Sequence, residues 1–263
     1  MSVRQVTSLT NPVVKAVRAL HMRKARGESG LFLAEGLKLV ADGLELGHTP
    51  RILLHGPDAA GQPLLRRAVN ATAQAGGEVL EVSRAVLEKV SRRDNPQAVV
   101  GVFAQTFADL DSLDPGAAPA WVALEGVRDP GNLGTIVRTV DAAGAGGVIL
   151  IGETCDPYSV EAVRATMGSI FATPLYRTTA TAFLAWRGRW PGSVVGTLLT
   201  ATEDYRAAAY RAPALIVMGP EQAGLSSALA DACDIRVKIP MRGRADSLNL
   251  AVATGVMLYA AIA

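Results

Sequence analysis

Cysteine, histidine and aromatic residues are all scarce in this chain. The two cysteines, Cys155 and Cys233, form no C-x-x-C pair, which argues against a zinc ribbon or redox couple and makes a reduced, cytoplasmic setting the expectation. All three histidines, His21, His48 and His55, fall near the start, so a Ser–His–Asp mechanism in the later residues lacks its base. No H-E-x-x-H motif occurs, and no metal ligand set is visible. No G-x-S-x-G elbow occurs, and no G-x-G-x-x-G follows a strand. Gly219 to Ser226 has the spacing of a P-loop, but Leu225 stands where that loop needs lysine. The N-terminus is polar and basic, with no apolar core of a signal peptide. Ser247 to Ala263 carries no charge, yet at 17 residues it is short for a bilayer span. It reads as a helix buried in the core and against a partner subunit, with no membrane expected.

With 49% apolar residues in 263, the chain has enough material for one large domain or two small ones. Its net charge of +2 is too small to diagnose a nucleic-acid binder. The distribution says more. Residues 1–30 hold Arg4, Lys15, Arg18, Arg23, Lys24 and Arg26 against Glu28 alone, while residues from 120 on are balanced. A basic head on a neutral body suits an arm that grips RNA, through Arg18, Arg23, Lys24 and Arg26; the alternative is a solvated helix face.

Apolar spacing predicts a helix over 7–26, capped by Thr10 or Asn11 with Pro12 in the first turn. Strands at 31–34, 51–54, 78–82 and 98–104 then alternate with helices at 36–46, 62–75 and 84–90, which makes a small α/β unit of residues 1–105. Residues 106–119 are rich in Asp and Pro and read as a linker. From 120 to 263, strands at 121–125, 147–151, 194–198, 214–218 and 235–239, with a shorter one near 173–176, alternate with helices at 133–143, 159–168, 180–187, 225–231 and 247–261. That alternation implies a doubly wound parallel sheet.

Three blocks carry the chemistry. They are Asp129 to Arg138 (DPGNLGTIVR), Met218 to Ser226 (MGPEQAGLS), and Ile239 to Gly243 (IPMRG) continuing to Ser247-Leu248-Asn249. Each sits beside a β-branched run, and ligands of open α/β sheets bind at such strand ends. Arg138, off the apolar stripe Ile136, Val140 and Ala143, is either a surface arginine or a forked phosphate donor. Glu221 sits where helix N-terminal electrostatics alone favours an acid. Ser247 reads as an N-cap of the last helix. Asn249, read as one turn inside that helix, is a poor helix former needing partners.

These blocks resemble the three signature motifs of the SpoU-type (TrmH-like) RNA ribose 2′-O-methyltransferases of the SPOUT superfamily. The resemblance covers most of 120–263, in order. Residues 1–105 resemble, through Thr7-Ser8-Leu9 to Asn11-Pro12 and Phe32-Leu33-Ala34-Glu35-Gly36, the accessory RNA-binding domain of many members. Pro220 and Leu250-Ala251 depart from the common pattern without removing a polar group. The resemblance implies a trefoil-knotted parallel sheet behind a smaller N-terminal α/β domain, and a homodimer with its site near the subunit interface. It implies S-adenosylmethionine bound by Gly219, Ile239 and Leu248, with Leu198, Leu199 and Met241 nearby. It assigns the polar motif roles to Asn132, Arg138, Glu221, Ser247 and Asn249, with Glu221 orienting Arg138 or Asn132. The very high pKa of arginine favours a phosphate-orienting role for Arg138 over a proton-accepting one. Ribosomal RNA is the expected substrate; transfer RNA, or RNA binding without catalysis, is the alternative.

Overall fold

Asn11 starts the first helix. Its Oδ1 accepts from Val13 N at 2.9 Å, and Pro12 fills the first turn, where its missing N–H costs nothing. In the computed structural model, which describes residues 4–263, the elements up to Gln105 are β1 (Arg4–Val6), α1 (Pro12–Ala19), α2 (Arg23–Ser29), β2 (Leu31–Glu35), α3 (Leu37–Glu45), β3 (Ile52–His55), α4 (Pro63–Gln74), β4 (Glu78–Val82), α5 (Arg84–Ser91) and β5 (Val99–Ala104). The single helix expected over 7–26 is thus two helices broken at Leu20–Met22. Arg26 explains the break: its guanidinium donates to the Leu20 carbonyl at 2.8 Å, a group a continuous helix would have bonded internally. Gly30, at φ 67°, ends α2 in the left-handed conformation.

These strands form a mixed sheet in the order β1-β4-β3-β5-β2, with β5 antiparallel to both neighbours. Tyr158–Phe171 joins this first unit. Within it, Phe32 and Phe103 pack with Tyr158 and Phe171, and the buried Glu35 carboxylate takes a 2.9 Å bond from Arg164.

The second unit comprises Thr106–Pro157 and Ala172–Ala263. The elements continue as β6 (Ala120–Glu125), α6 (Pro130–Ala142), β7 (Val148–Ile151), α7 (Val160–Ala165, in the first unit), β8 (Leu175–Thr178), α8 (Ala180–Arg187), β9 (Val194–Thr197), β10 (Glu203–Asp204), β11 (Ala214–Met218), α9 (Ser227–Asp231), β12 (Ile235–Lys238) and α10 (Leu250–Ile262). The sheet runs β10-β12-β9-β11-β6-β7-β8, and every pairing is parallel. Its central strands β6 and β11 are buried almost throughout, so they read as unbroken apolar runs rather than alternating ones. All three tryptophans are here: Trp121, Trp186 and Trp190 share one core with Tyr176 and Phe183. Leu110 and Leu113 are buried in the same core, so residues 106–119, read from sequence as a linker, pack as part of this unit. No described helix is long and apolar enough to cross a membrane.

Candidate active site

The turns after β6, β9, β11 and β12 leave the carboxyl ends of four neighbouring parallel strands. Asp129 caps α6, its carboxylate accepting from Asn132 N at 2.6 Å, with Pro130 in the first turn. The helix therefore starts earlier than the sequence indicated, and Asn132 lies in its first turn rather than in the preceding loop. After β11, the chain folds back tightly. A Cβ on Gly219 would fall 2.2 Å from the carbonyl carbon of Gly224, so only glycine admits this approach. The fold-back presents Glu221 to the first turn of α6 and to the start of α10.

α10 begins at Leu250, and its cap is Asn249, not Ser247. The Asn249 Oδ1 accepts from Ala251 N at 3.0 Å and Val252 N at 3.3 Å. This resolves how a poor helix former precedes an apolar helix: it stands outside it. The amide's other end is free for the site.

Three motif residues meet there. Glu221 Oε1 accepts from Asn132 Nδ2 at 2.8 Å, Asn249 Nδ2 at 3.3 Å and Leu250 N at 2.9 Å. Asn249 Nδ2 also donates to Asn132 Oδ1 at 2.8 Å. One carboxylate thus ties α6, the β11 turn and α10 together by charge-assisted bonds. Arg138 is not in the cluster. It is exposed on α6 and, among the described residues, has no hydrogen-bond or ion-pair partner. Six residues beyond Asn132, it lies about 9 Å further along the helix. Of the two residues that the sequence offers as partners for Glu221, Asn132 is the one it bonds. Ser247 is exposed, and its hydroxyl bonds Asp246 at 3.3 Å.

Beside the cluster is a cavity of about 390 Å³. Leu198, Leu199, Gly219, Ile239, Met241 and Leu248, the six positions singled out for a cofactor, all line it, as do Glu221 and Ser247. Sequence reasoning missed Thr197, Met218 and Leu225 in the same wall. Thr197 ends β9 with a buried hydroxyl that has no partner among the described residues. Its only sequence signal was its place at a strand end.

The segment between β9 and β11 carries two groups moved from their ordinary acidity. Hydrogen bonds from Arg206, reinforced by its charge, hold Asp204 down to about 2. Burial, with nearby acids adding to it, pushes the Tyr210 hydroxyl up to about 12. Neither is set to exchange a proton near neutrality.

Of the cations expected to grip RNA, Arg18, Arg23 and Lys24 are exposed, with Lys24 3.8 Å from Glu28. Arg26 is a correction. It is 4% exposed and committed to the Leu20 carbonyl, so its charge closes a turn instead of meeting solvent.

Residues 119–259 match the model of the SpoU rRNA Methylase family, and residues 11–101 match that of the MRM3-like substrate binding domain. Among solved structures, an AdoMet-bound rRNA methyltransferase from Sinorhizobium meliloti is 49% identical, with a TM-score of 0.92 over 98% of this chain and 97% of that one. The SpoU methyltransferase AviRb from Streptomyces viridochromogenes is 30% identical, with a TM-score of 0.85 over 96% of each chain. The 23S rRNA (guanosine(2553)-2′-O)-methyltransferase RlmP of Bacillus subtilis is 29% identical over 97% of this chain and 98% of its own length. The cluster that joins three separated motifs, the cavity beside it and these matches along nearly the whole length agree: the chain belongs to the SpoU rRNA Methylase family.

Proposed function

We propose that this protein transfers a methyl group from S-adenosylmethionine to a ribose 2′-hydroxyl of ribosomal RNA. The observation that carries this reading is the Asn132–Glu221–Asn249 cluster at the wall of the cavity. The cavity suits such a cofactor. Its volume is that of small-molecule sites, and its wall is mostly apolar with few polar groups. The tight Gly219 turn bares backbone, and the Thr197 hydroxyl lacks a partner among the described residues. Gly219, Ile239 and Leu248 would hold the cofactor through backbone groups, with Leu198, Leu199 and Met241 packed around it. S-adenosylmethionine, when bound, supplies a sulfonium methyl that is electrophilic without a metal.

The protein's own groups position the RNA. Glu221 fixes both asparagine amides, which organise the loops around the ribose. Ser247 offers a hydroxyl at the cavity wall. Arg138, always charged, presents a forked donor to the phosphate beside the reacting hydroxyl, which keeps that phosphate next to the departing proton. Residues 1–105 act as the RNA substrate-binding domain and 120–263 as the methyltransferase domain, a reading supported by the two family-model matches.

The working form is a homodimer with the site near the subunit interface. Supporting this, α10 exposes Val252 and Tyr259, at 53% and 52%, on the side away from its buried residues. The trefoil knot of the family goes with this reading, supported by a strand order that sets β9 between β11 and β12. The two cysteines, neither of them in a disulfide, suit the reduced cytoplasm.

The test is transfer of tritium from labelled S-adenosylmethionine into total bacterial RNA, followed by size separation and digestion to nucleosides. Label in a 2′-O-methyl nucleoside of ribosomal RNA is expected. Label confined to transfer RNA would change the substrate, and label in a base would overturn the reaction.

A further inference from the structure

The second end of a basic surface lies on a part of the first unit that its basic N-terminal residues did not announce. α1 packs on α5: Val14, Val17 and Leu20 share a core with Val86, Leu87 and Val90. Beyond this core, the His21 Nε2 atom lies 2.6 Å from the Val90 carbonyl oxygen, which pins the α1–α2 turn to the last turn of α5. Arg92 and Arg93 follow Val90 by two and three residues. The exposed Arg18 and Arg23 flank His21 by three and two. All four are therefore within three residues of one end or the other of a single hydrogen bond, and their charges add in the field that a polyanion meets. Among the described residues, none of the four guanidinium groups has a hydrogen-bond or ion-pair partner.

Arg92 carries a second sign. It is the C-cap of α5 at φ 56°, ψ 38°, one of two non-glycine residues described with positive φ. Glycine is the residue that adopts this conformation freely, and a side chain there is strained. Attraction to the helix C-terminus is available to a basic residue anywhere in the last turn, so it does not require the strained position. A side chain held at a cost, exposed and unpaired, points to a ligand outside the fold.

We infer that the α1–α2 turn and the α5 C-terminus form one RNA-backbone contact surface, with Arg18, Arg23, Arg92 and Arg93 as its phosphate donors. Arginine forks fit phosphate oxygens, and contacts of this kind position an RNA without reading its sequence. This inference rests on the RNA reading above.

The experiment uses the full chain and deproteinised 23S ribosomal RNA as probe, with binding measured across a salt series. Cofactor binding and thermal unfolding are measured on the same proteins. Arg92→Gly with Arg93→Ala is expected to weaken RNA binding on the order of five- to tenfold. The same pair should make the log–log salt slope shallower by about 1.5, because each phosphate left without its arginine removes roughly 0.7–0.9 from it. Arg92→Gly alone is expected to raise Tm while lowering RNA affinity, a pair of opposite effects that a merely structural arginine does not give. Arg93→Lys should keep the slope. If wild type binds RNA with a salt-dependent affinity and the double variant has the same affinity and slope, this surface is overturned while the catalytic reading stands. If wild type shows no salt-dependent RNA binding, the RNA reading falls as well.

Discussion

Asn249 Nδ2 donates to Asn132 Oδ1 at 2.8 Å, across 117 positions of sequence. The bond joins the cap of α10 to the first turn of α6, and Glu221 accepts from both asparagines. The two asparagine amides and this one carboxylate thereby tie α6 to α10.

Glu221→Ala removes the acceptor for two amides and for Leu250 N. The cluster is exposed, so the stability loss is modest, about 1–2 kcal/mol. Activity should suffer more, by about 100-fold in kcat, because a displacement near 1 Å is that costly. Chemical denaturation and single-turnover methylation check the two separately. A loss of stability with unaltered turnover would show the cluster to be structural only.

Arg138→Ala removes no hydrogen bond or ion pair among the described residues, so stability should change by no more than about 0.5 kcal/mol. S-adenosylmethionine affinity should also be unchanged. Methyl transfer should be abolished, a drop of at least about 10³-fold if the guanidinium orients charge at the reacting centre. Calorimetry and tritium incorporation on one preparation decide it.

Gly219→Ala puts a methyl 2.2 Å from backbone, where no flexible side chain can yield. The turn must open, at about 1–3 kcal/mol. Cofactor affinity should fall by about tenfold or more, since the same turn forms the cavity wall. Equal affinity in the variant would detach this turn from the cofactor.

Tyr259→Asp, alone and with Val252→Asp, sets a charge on the exposed side of α10. The expected result is a monomer by light scattering, still folded by circular dichroism, with little methyl transfer. A dimer that survives both changes would place the interface elsewhere.

Cys233 gives a prediction on pH. Burial pushes its thiol up to about 12, against the opposing pull of Arg187 and Arg236. The folded state thus keeps a neutral thiol that the unfolded chain ionises near 9. Its contribution to stability is complete below that pH and is lost as pH rises towards 12. Alkylation at pH 8 should modify Cys155, which is partly exposed, and spare Cys233 until the protein unfolds. Mass spectrometry of the labelled peptides tests this directly.

Much of this architecture could be read before the structure, for identifiable reasons. β6 and β11 are long apolar runs, and parallel strands buried on both faces have to be. The Gly, Pro and Asn positions of the three blocks marked the turns at their ends. β1 escaped because Arg4-Gln5-Val6 has no apolar alternation. It pairs with β4 at the sheet edge, where Arg4 meets Glu78 and Gln5 meets Glu81. The break in the first helix escaped because Arg26 looks like any solvated cation until its carbonyl partner six residues back is known. The helix at 159–168 was legible, but its packing with Phe32 and Glu35 is tertiary information that periodicity does not hold. From sequence Asn249 reads as helical because Ser247 also has a capping side chain; only the backbone shows which of the two starts the helix.

The centre of the parallel sheet has a kinetic corollary. β6 and β11 are adjacent strands, and the turns that follow them bring together Asn132 and Glu221, 89 positions apart. Closing so long a loop precedes any reward from the contacts inside it, so assembly of this half is governed by distant pairings and is slow. A chain caught before that closure has secondary structure but no cavity wall and no cluster. Competence to bind the methyl donor therefore arrives with the closing of the sheet, and ligand capture during refolding should report the final step of folding rather than an early one.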